Sequence, residues 1–372
     1  MSPPQQTITV TTKEGTQVEY VMRGLQDEEV DRWAAFCASV FSYKANPPPP
    51  SYFARHYHND PQRSAALIRV MICDENIVAS CRVFQRTISL GSDSSTALAG
   101  GIGEVCTDPA HRRRGLSKLL LQDAIQIMTE YKMELSLLHA APDFFPVYES
   151  SGYSCTTSPW SLVTVDPVKL VSTTATTTTT QSTTSTSSHT TIRLAQFPSD
   201  TPQLIKLHRA FSESRLAGTI IRSEQYWNEY LSQELGNSLW VMTTNNNQQV
   251  VAWLSIRPRG DNRYQVREFG WDRDSDNKQS ASDCFGALLG QAMQQQQQPD
   301  GCPPKEPIAL HLPTFVLNDL GEMDFVDVSS IKEENDLGWM YRPICPLSEA
   351  AKEGMPEICK KIPHLVWPSD SF

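Results

Sequence analysis

The stretch CTDPAHRRRGLSKLLLQDAI, residues 106–125, crowds three arginines and a glycine between a strand-like run and an apolar helix. Arg112, Arg113, Arg114, Gly115, Leu116, Ser117 and Lys118 stand at the join. The first N–H groups of a helix have no partners inside it, and they point outward at the positive end of its dipole. Gly115 lets the backbone approach a ligand with no Cβ between them. Arginine adds charge and a planar fork of donors that suits phosphate. The guest that fits this chemistry is a pyrophosphate. The alternative is a basic corner that meets only solvent.

Elements on both sides must hold that turn. ALAGGIGEVCTD reads as a strand ended by Pro109, and Leu116, Leu119, Leu120, Ala124, Ile127 and Met128 form the buried face of the helix that follows. Upstream, VEYVMRG alternates like a strand, and DEEVDRWAAFCASVF places Val30, Trp33, Ala34, Cys37 and Phe41 on one helical face. ALIRVMICDENIVASCRVFQRTI reads as a hairpin turning at Asp74, Glu75 and Asn76. Downstream, MELSLLHA predicts a strand, FFPVYESSGY a short helix stopped by Gly152, and SLVTV a last strand. The first 170 residues thus read β-α-β-β-β-α-β-α-β.

The Thr/Ser-rich run at residues 171–191 has almost no apolar bulk and reads as a flexible linker. Residues 192–345 partly repeat the earlier order, with helices in TPQLIKLHRAFSES and ASDCFGALLGQAM, strands in SLWVMTT, QQVVAWLSIRP, RYQVREFGW and PIALHLP, and a turn at residues 245–247. Gln294 to Gln298 and the residues after them read as a loop insertion, and residues 346–372 as a C-terminal tail. The expected class is mixed α/β (α+β): a mostly antiparallel central sheet flanked by helices, built twice.

Composition excludes several functions. The chain has 372 residues, 42 Asp plus Glu against 32 Lys plus Arg, and a net charge of -10. That balance argues against general binding of nucleic acid or anionic membrane. Nine cysteines without a CxxC pair suit reduced thiols in a cytoplasmic protein, and no ligand spacing suggests a metal. MSPPQQTITVTTKEG lacks an apolar signal region, and no window is apolar enough to span a bilayer.

EVCTDPAHRRRGLS, with YESSGY after it, resembles the acyl-CoA-binding motif of the GCN5-related N-acetyltransferase (GNAT) superfamily. Ser117 stands where Gly or Ala is commoner. The resemblance covers residues 10–165 well and the rest only by architecture, as tandem copies with a degenerate second. It implies an acetyl-CoA co-substrate: backbone groups of Val105, Cys106 and Thr107 would meet the pantetheine arm and acetyl carbonyl, and the N–H groups from Arg113 to Lys118 the pyrophosphate. Tyr148 matches the residue that protonates the leaving thiolate in many relatives, and a pKa near 10 suits that task; a packed aromatic is the other reading. Glu104 is the base candidate, with a salt-bridged strand residue as its alternative. His139 and His111 are weaker candidates, and Tyr153 is expected to pack.

The segment SYKANPPPPSYFARHYHNDP, residues 42–61, lies where relatives face their substrate. It is read as a Pro-rich loop whose Tyr43, Tyr52, Phe53, Tyr57 and His58 would line a wall for an alkylammonium. The second half lacks the Arg-x-x-Gly turn and is acidic after REFGW, so it is expected to complete the substrate pocket without binding CoA. The tandem form is similar to yeast lysine N6-acetyltransferases and, more distantly, to the mycobacterial enhanced-intracellular-survival acetyltransferases, in which the terminal carboxylate enters the active site. These features together predict acetyl transfer to a small primary amine, lysine or similar. The alternatives are a protein lysine or N-terminal acetyltransferase and a non-catalytic CoA-binding or interaction module.

Overall fold

The computed structural model describes residues 5–43, 46–91, 95–170, 190–244, 248–260, 262–273, 280–295, 306–345 and 354–370. The expected linker lies outside them except for its last two residues, which begin a strand. The turn at 245–247, most of the Gln-rich run and Phe372 also lie outside.

In chain order the strands of the first half are β1 (Gln6–Thr11), β2 (Gln17–Gly24), β3 (Ile68–Cys73), β4 (Asn76–Leu90), β5 (Thr96–Thr107), β6 (Leu135–His139), β7 (Ser154–Cys155) and β8 (Trp160–Val165). Their helices are α1 (Val30–Val40), α2 (Pro50–His58), α3 (Leu116–Glu130) and α4 (Phe145–Glu149). The second half adds β9 (Thr190–Leu194), β10 (Ala217–Ile220), β11 (Trp240–Thr244), β12 (Val250–Pro258), β13 (Arg263–Trp271), β14 (Ile308–Pro313), β15 (Val326–Glu333) and β16 (Trp339–Pro343).

Two mixed, mostly antiparallel sheets result, flanked by helices as expected. The first runs β1-β2-β3-β4-β5-β6-β16-β7, with β10 also on β4; the second runs β15-β8-β14-β13-β12-β11-β9. One parallel pair occurs in each, β5 with β6 and β13 with β14. A helix connects each pair, α3 in the first sheet and Ala281–Gln295 in the second, because parallel neighbours need a crossover. The duplicated β-α-β unit supports the tandem reading.

The sheets do not divide at the boundary the sequence suggests. β8 lies before residue 170 yet sits between β14 and β15 in the second sheet, while β16 crosses back to lie between β6 and β7 in the first. Each half thus pairs a strand edge of the other. Alternation marks a strand but does not name its partner.

Alternate residues of β3 feed two cores. Ile68 and Val70 pack with Trp33, Cys37, Phe53 and Tyr57 of α1 and α2 on one face. Met71 and Cys73 pack with Leu116, Leu120 and Met128 of α3 on the other. The segment read as a Pro-rich loop contains a helix, α2, with Pro50 in its first turn, where a fixed φ favours helix and no N–H is missed. Consequently Phe53 points into the core at 3 % exposure and cannot belong to an open aromatic wall. Tyr52, on the same helix, is partly exposed.

The C-terminal segment is part of the second core. Leu365 N–H donates to the Ala217 carbonyl at 2.9 Å, Trp367 is fully buried, and its Nε1–H donates to Ser212 Oγ at 3.0 Å. Arg222 joins Glu268 and Asp370 in a buried triad. Trp367→Phe should lower the unfolding free energy by about 1–3 kcal/mol, since a buried hydroxyl loses its partner and a small void opens. Urea denaturation checks this, and an unchanged midpoint would show that the segment is only draped over the core.

Candidate active site

The two strands that follow one another through α3 part company. β5 pairs β6 only from Ala99↔Leu135 to Ile102↔Leu138. Beyond that, β5 runs on to Thr107 while β6 ends at His139. Residues 103–107 therefore keep β4 on one edge and face an opening on the other.

A bulge bends the same stretch. Ser80 pairs with Cys106 and Arg82 with Gly103, so Cys81 faces both Glu104 and Val105. Glu104 takes φ 53, a left-handed conformation that non-glycine residues adopt rarely. Val105 packs on the α3 side. Cys106 turns its thiol toward α1, 3.9 Å from the Cys37 sulfur, so only its backbone is available at the opening.

At the expected cradle, Arg113 has φ 61 and Gly115 φ 77. Among the described residues no backbone acceptor takes the N–H groups of residues 113–118. A Cβ built on Gly115 meets no protein atom within 4 Å, so the space in front of the helix start is open. These features fit a pyrophosphate. The arginines differ in role. Arg114 Nη1 donates to Tyr20 Oη at 2.6 Å and its Nη2 to the Ala110 carbonyl at 2.9 Å, and Arg112 Nε donates to the Thr107 carbonyl at 3.1 Å. These two brace the loop, whereas Arg113 is exposed. Leu116 is buried and offers only its backbone; Ser117 is half-buried and Lys118 exposed. His111 also braces the loop, its Nδ1 lying 3.0 Å from Tyr20 Oη.

Tyr148 and Glu104 lie on opposite faces of the sheet beside the opening. Tyr148 packs against the α3-side core, edge-on to Tyr153. Its hydroxyl makes no hydrogen bond among the described residues, and burial pushes its pKa up to about 12. Tyr153 packs as expected, its hydroxyl 2.7 Å from Ser136 Oγ.

The Glu104 side chain, 7 % exposed, faces α2. Its Oε2 is 3.5 Å from Arg82 Nη1, an ion pair without hydrogen-bond geometry. Burial raises its pKa, with Arg82 and then His56 opposing the shift. Arg82 stacks over Phe84 at 3.9 Å and also pairs with Asp60, which Arg86 shares. From the second half, Glu234 approaches His56 at 3.5 Å and bonds Arg267 at 2.5 Å. Tyr52 packs against His56 with ring centroids 4.0 Å apart and planes tilted by 55°, and burial, then Glu104 and Glu234, push its pKa to about 12.

Asp60, Arg82, Arg86, His56 and Glu234 escaped the sequence reading. Two arginines four apart in the otherwise apolar run CRVFQRTI were the available signal, since a charge in such a strand needs a buried partner. His139 lies at the end of β6 with its Nε2 2.9 Å from Asp336 of the second half. A cavity of about 300 Å³ lined by Phe211, Arg215 and Trp271 contains none of the candidate residues. Among the described residues no helix is long and apolar enough to cross a membrane, and no group of side chains is arranged to hold a metal.

Residues 21–156 match the family model for an acetyltransferase (GNAT) domain. No curated protein matches the chain. Among solved structures, a probable N-acyltransferase from Enterococcus faecalis superposes with a TM-score of 0.58 at 13% identity, over 87% of this chain and 73% of that one. A GCN5-related N-acetyltransferase from Kribbella flavida gives 0.57 at 16%, over 87% and 72%. Saccharomyces cerevisiae N-myristoyltransferase with bound myristoyl-CoA gives 0.50 at 10%, over 87% and 84%. At such identities the structural likeness is one of fold, and the family model adds that residues 21–156 match an acetyltransferase domain of the GNAT family.

Proposed function

We propose that the protein is an N-acetyltransferase that moves acetyl from acetyl-CoA to a primary amine of a small molecule, lysine or similar, by direct attack. The observation that carries this reading is the opening beside residues 103–107, with a row of unengaged N–H groups at the start of α3 and a buried carboxylate on the α2 side. Residues 113–118 would hold the pyrophosphate, with Arg113 free to reach a phosphate. Backbone groups of Val105, Cys106 and Thr107 would align the acyl arm. Acetyl-CoA supplies the activated thioester, and alignment in the opening supplies much of the rate.

An ammonium cannot attack until it loses a proton. Glu104 is the group to take it, because burial makes its carboxylate a stronger base than an exposed one. Tyr148, across the sheet, keeps its proton to high pH and is the group to donate to the departing sulfur. The second half covers the α2 side through Glu234 and Arg267. That cover favours a small acceptor over the open groove a protein substrate needs. No metal enters this scheme.

Mass spectrometry of an amine panel incubated with acetyl-CoA and the full chain tests the reading. Acetylated product with matching CoA release is expected, and no product across the panel would overturn it in favour of a binding module. Acetyl-CoA at about 100 times its Kd should also stabilise the chain by about 2.7 kcal/mol, through binding to the native state alone. Calorimetric unfolding with and without it checks that, and an unshifted Tm would place no CoA site on this protein.

A further inference from the structure

Around α2, where Arg82 and Arg86 of β4 meet Glu234 and Arg267 of the second half, the described side chains include more arginines than carboxylates. Asp60 is shared by Arg82 and Arg86, Glu104 faces Arg82, and Glu234 is shared by Arg55, His56 and Arg267. These three carboxylates serve four arginines. Arg257 of β12 is a fifth, half-buried, with no carboxylate within 4 Å among the described residues. Its hydrogen bond is from Nε to Gln265 Oε1, at 2.9 Å, across the β12–β13 ladder.

Arg257 belongs to the same neighbourhood as the acceptor side of the opening. Its charge acts on Tyr52, as do those of Glu104 and Glu234. Desolvation first, then Arg259 and Arg267, lower its own pKa to about 10, against the opposing pull of Glu234 and Tyr52. A guanidinium withdrawn from water beside other cations costs free energy that an anion would offset. Two of its nitrogens remain for that anion once Nε is committed to Gln265, which is the fork that grips a carboxylate with two parallel bonds.

We infer that Arg257 holds an anionic group of the acceptor, so that the substrate is an amine that also carries a carboxylate. This rests on the acyltransferase reading above and adds to it a specificity-determining residue supplied by the second half. Amine and carboxylate ends of one molecule would then be sorted by charge: the ammonium toward Glu104, the carboxylate toward Arg257.

The test compares matched acceptors on the full chain: 6-aminohexanoate against hexylamine, and lysine against 1,5-diaminopentane. The carboxylated member of at least one pair should have a kcat/KM higher by about 10-fold or more, as one charge-assisted bidentate contact allows. Arg257→Gln should reduce that ratio at least about 10-fold, and Arg257→Lys should restore part of it. Equal rates within both pairs, or a ratio that survives Arg257→Gln, would overturn the inference. So would a variant whose defect lies in the KM for acetyl-CoA, since the anion would then be a CoA phosphate. If Arg257→Gln does not fold, Gln265→Leu, which frees the guanidinium from its tether, must lower the ratio instead. If no amine turns over, calorimetric binding of the same pairs to the CoA-saturated protein decides. Carboxylate-dependent binding lost in Arg257→Gln would sustain the subsite while the reaction fails, and its absence would sink the subsite.

Discussion

Gly115→Asp should give a folded chain that no longer binds acetyl-CoA. The backbone at Gly115 has φ 77, which aspartate tolerates better than most residues, and its new Cβ meets no protein atom within 4 Å. The stability loss should therefore stay near 1 kcal/mol. The added carboxylate, however, stands before the N–H groups of residues 113–118, where it can take their bonds and repel a pyrophosphate. An affinity loss of about 10²-fold or more follows from exchanging charge-assisted bonds for like-charge repulsion. Gly115→Ala, which adds the Cβ alone, should lose less, and the gap between the two reports the charge. Equilibrium binding with a parallel melt checks both. Wild-type affinity in a folded Gly115→Asp variant would move the cradle elsewhere.

The second large effect separates the two proton handlers. Tyr148→Phe should lower kcat by about 10²-fold with acetyl-CoA affinity nearly unchanged, because only the hydroxyl is lost. Burial holds the phenol's pKa near 12, so it remains a donor throughout pH 6–10 and the loss should be constant there. Glu104→Gln behaves otherwise. Below the raised pKa of Glu104 the wild type has no base either, so little separates the two proteins. Above it the wild type can deprotonate the ammonium and the variant cannot, so the deficit is greatest. As pH approaches the amine's own pKa the acceptor is already neutral and the deficit shrinks. Rapid-quench rates across pH 6–10 distinguish these shapes. Full kcat in Tyr148→Phe, with chemistry rate-limiting, would leave Tyr148 as a packed aromatic, and a pH-independent deficit in Glu104→Gln would reassign Glu104 to its ion pair with Arg82.

Much of the local structure at the proposed CoA side was legible in the chain because its causes are local. Leu116, Leu120 and Met128 recur at helical spacing, so α3 follows from periodicity, and a helix start leaves donors at residues 113–118 whatever it packs against. Gly115 at positive φ is likewise a property of one residue. Even here only the fold assigned the arginines, since whether Arg114 meets a phosphate or Tyr20 depends on a side chain 94 residues away. On the proposed acceptor side, and in the second core, almost nothing was local. Arg82 finds Asp60 at a separation of 22 residues, and in the second core Arg222 finds Asp370 at 148. Arg257 is conspicuous only because, among the described residues, the fold brings the nearby carboxylates to other arginines. The exchange of β8 and β16 between sheets belongs to the same class. By itself the sequence determined which segments are strands and helices and where one helix offers its donors, since those depend on neighbours a few residues apart. The tertiary structure alone decided which edges pair and which buried charges are matched, since hydrogen-bond demand and desolvation are met by whatever the whole chain brings into reach.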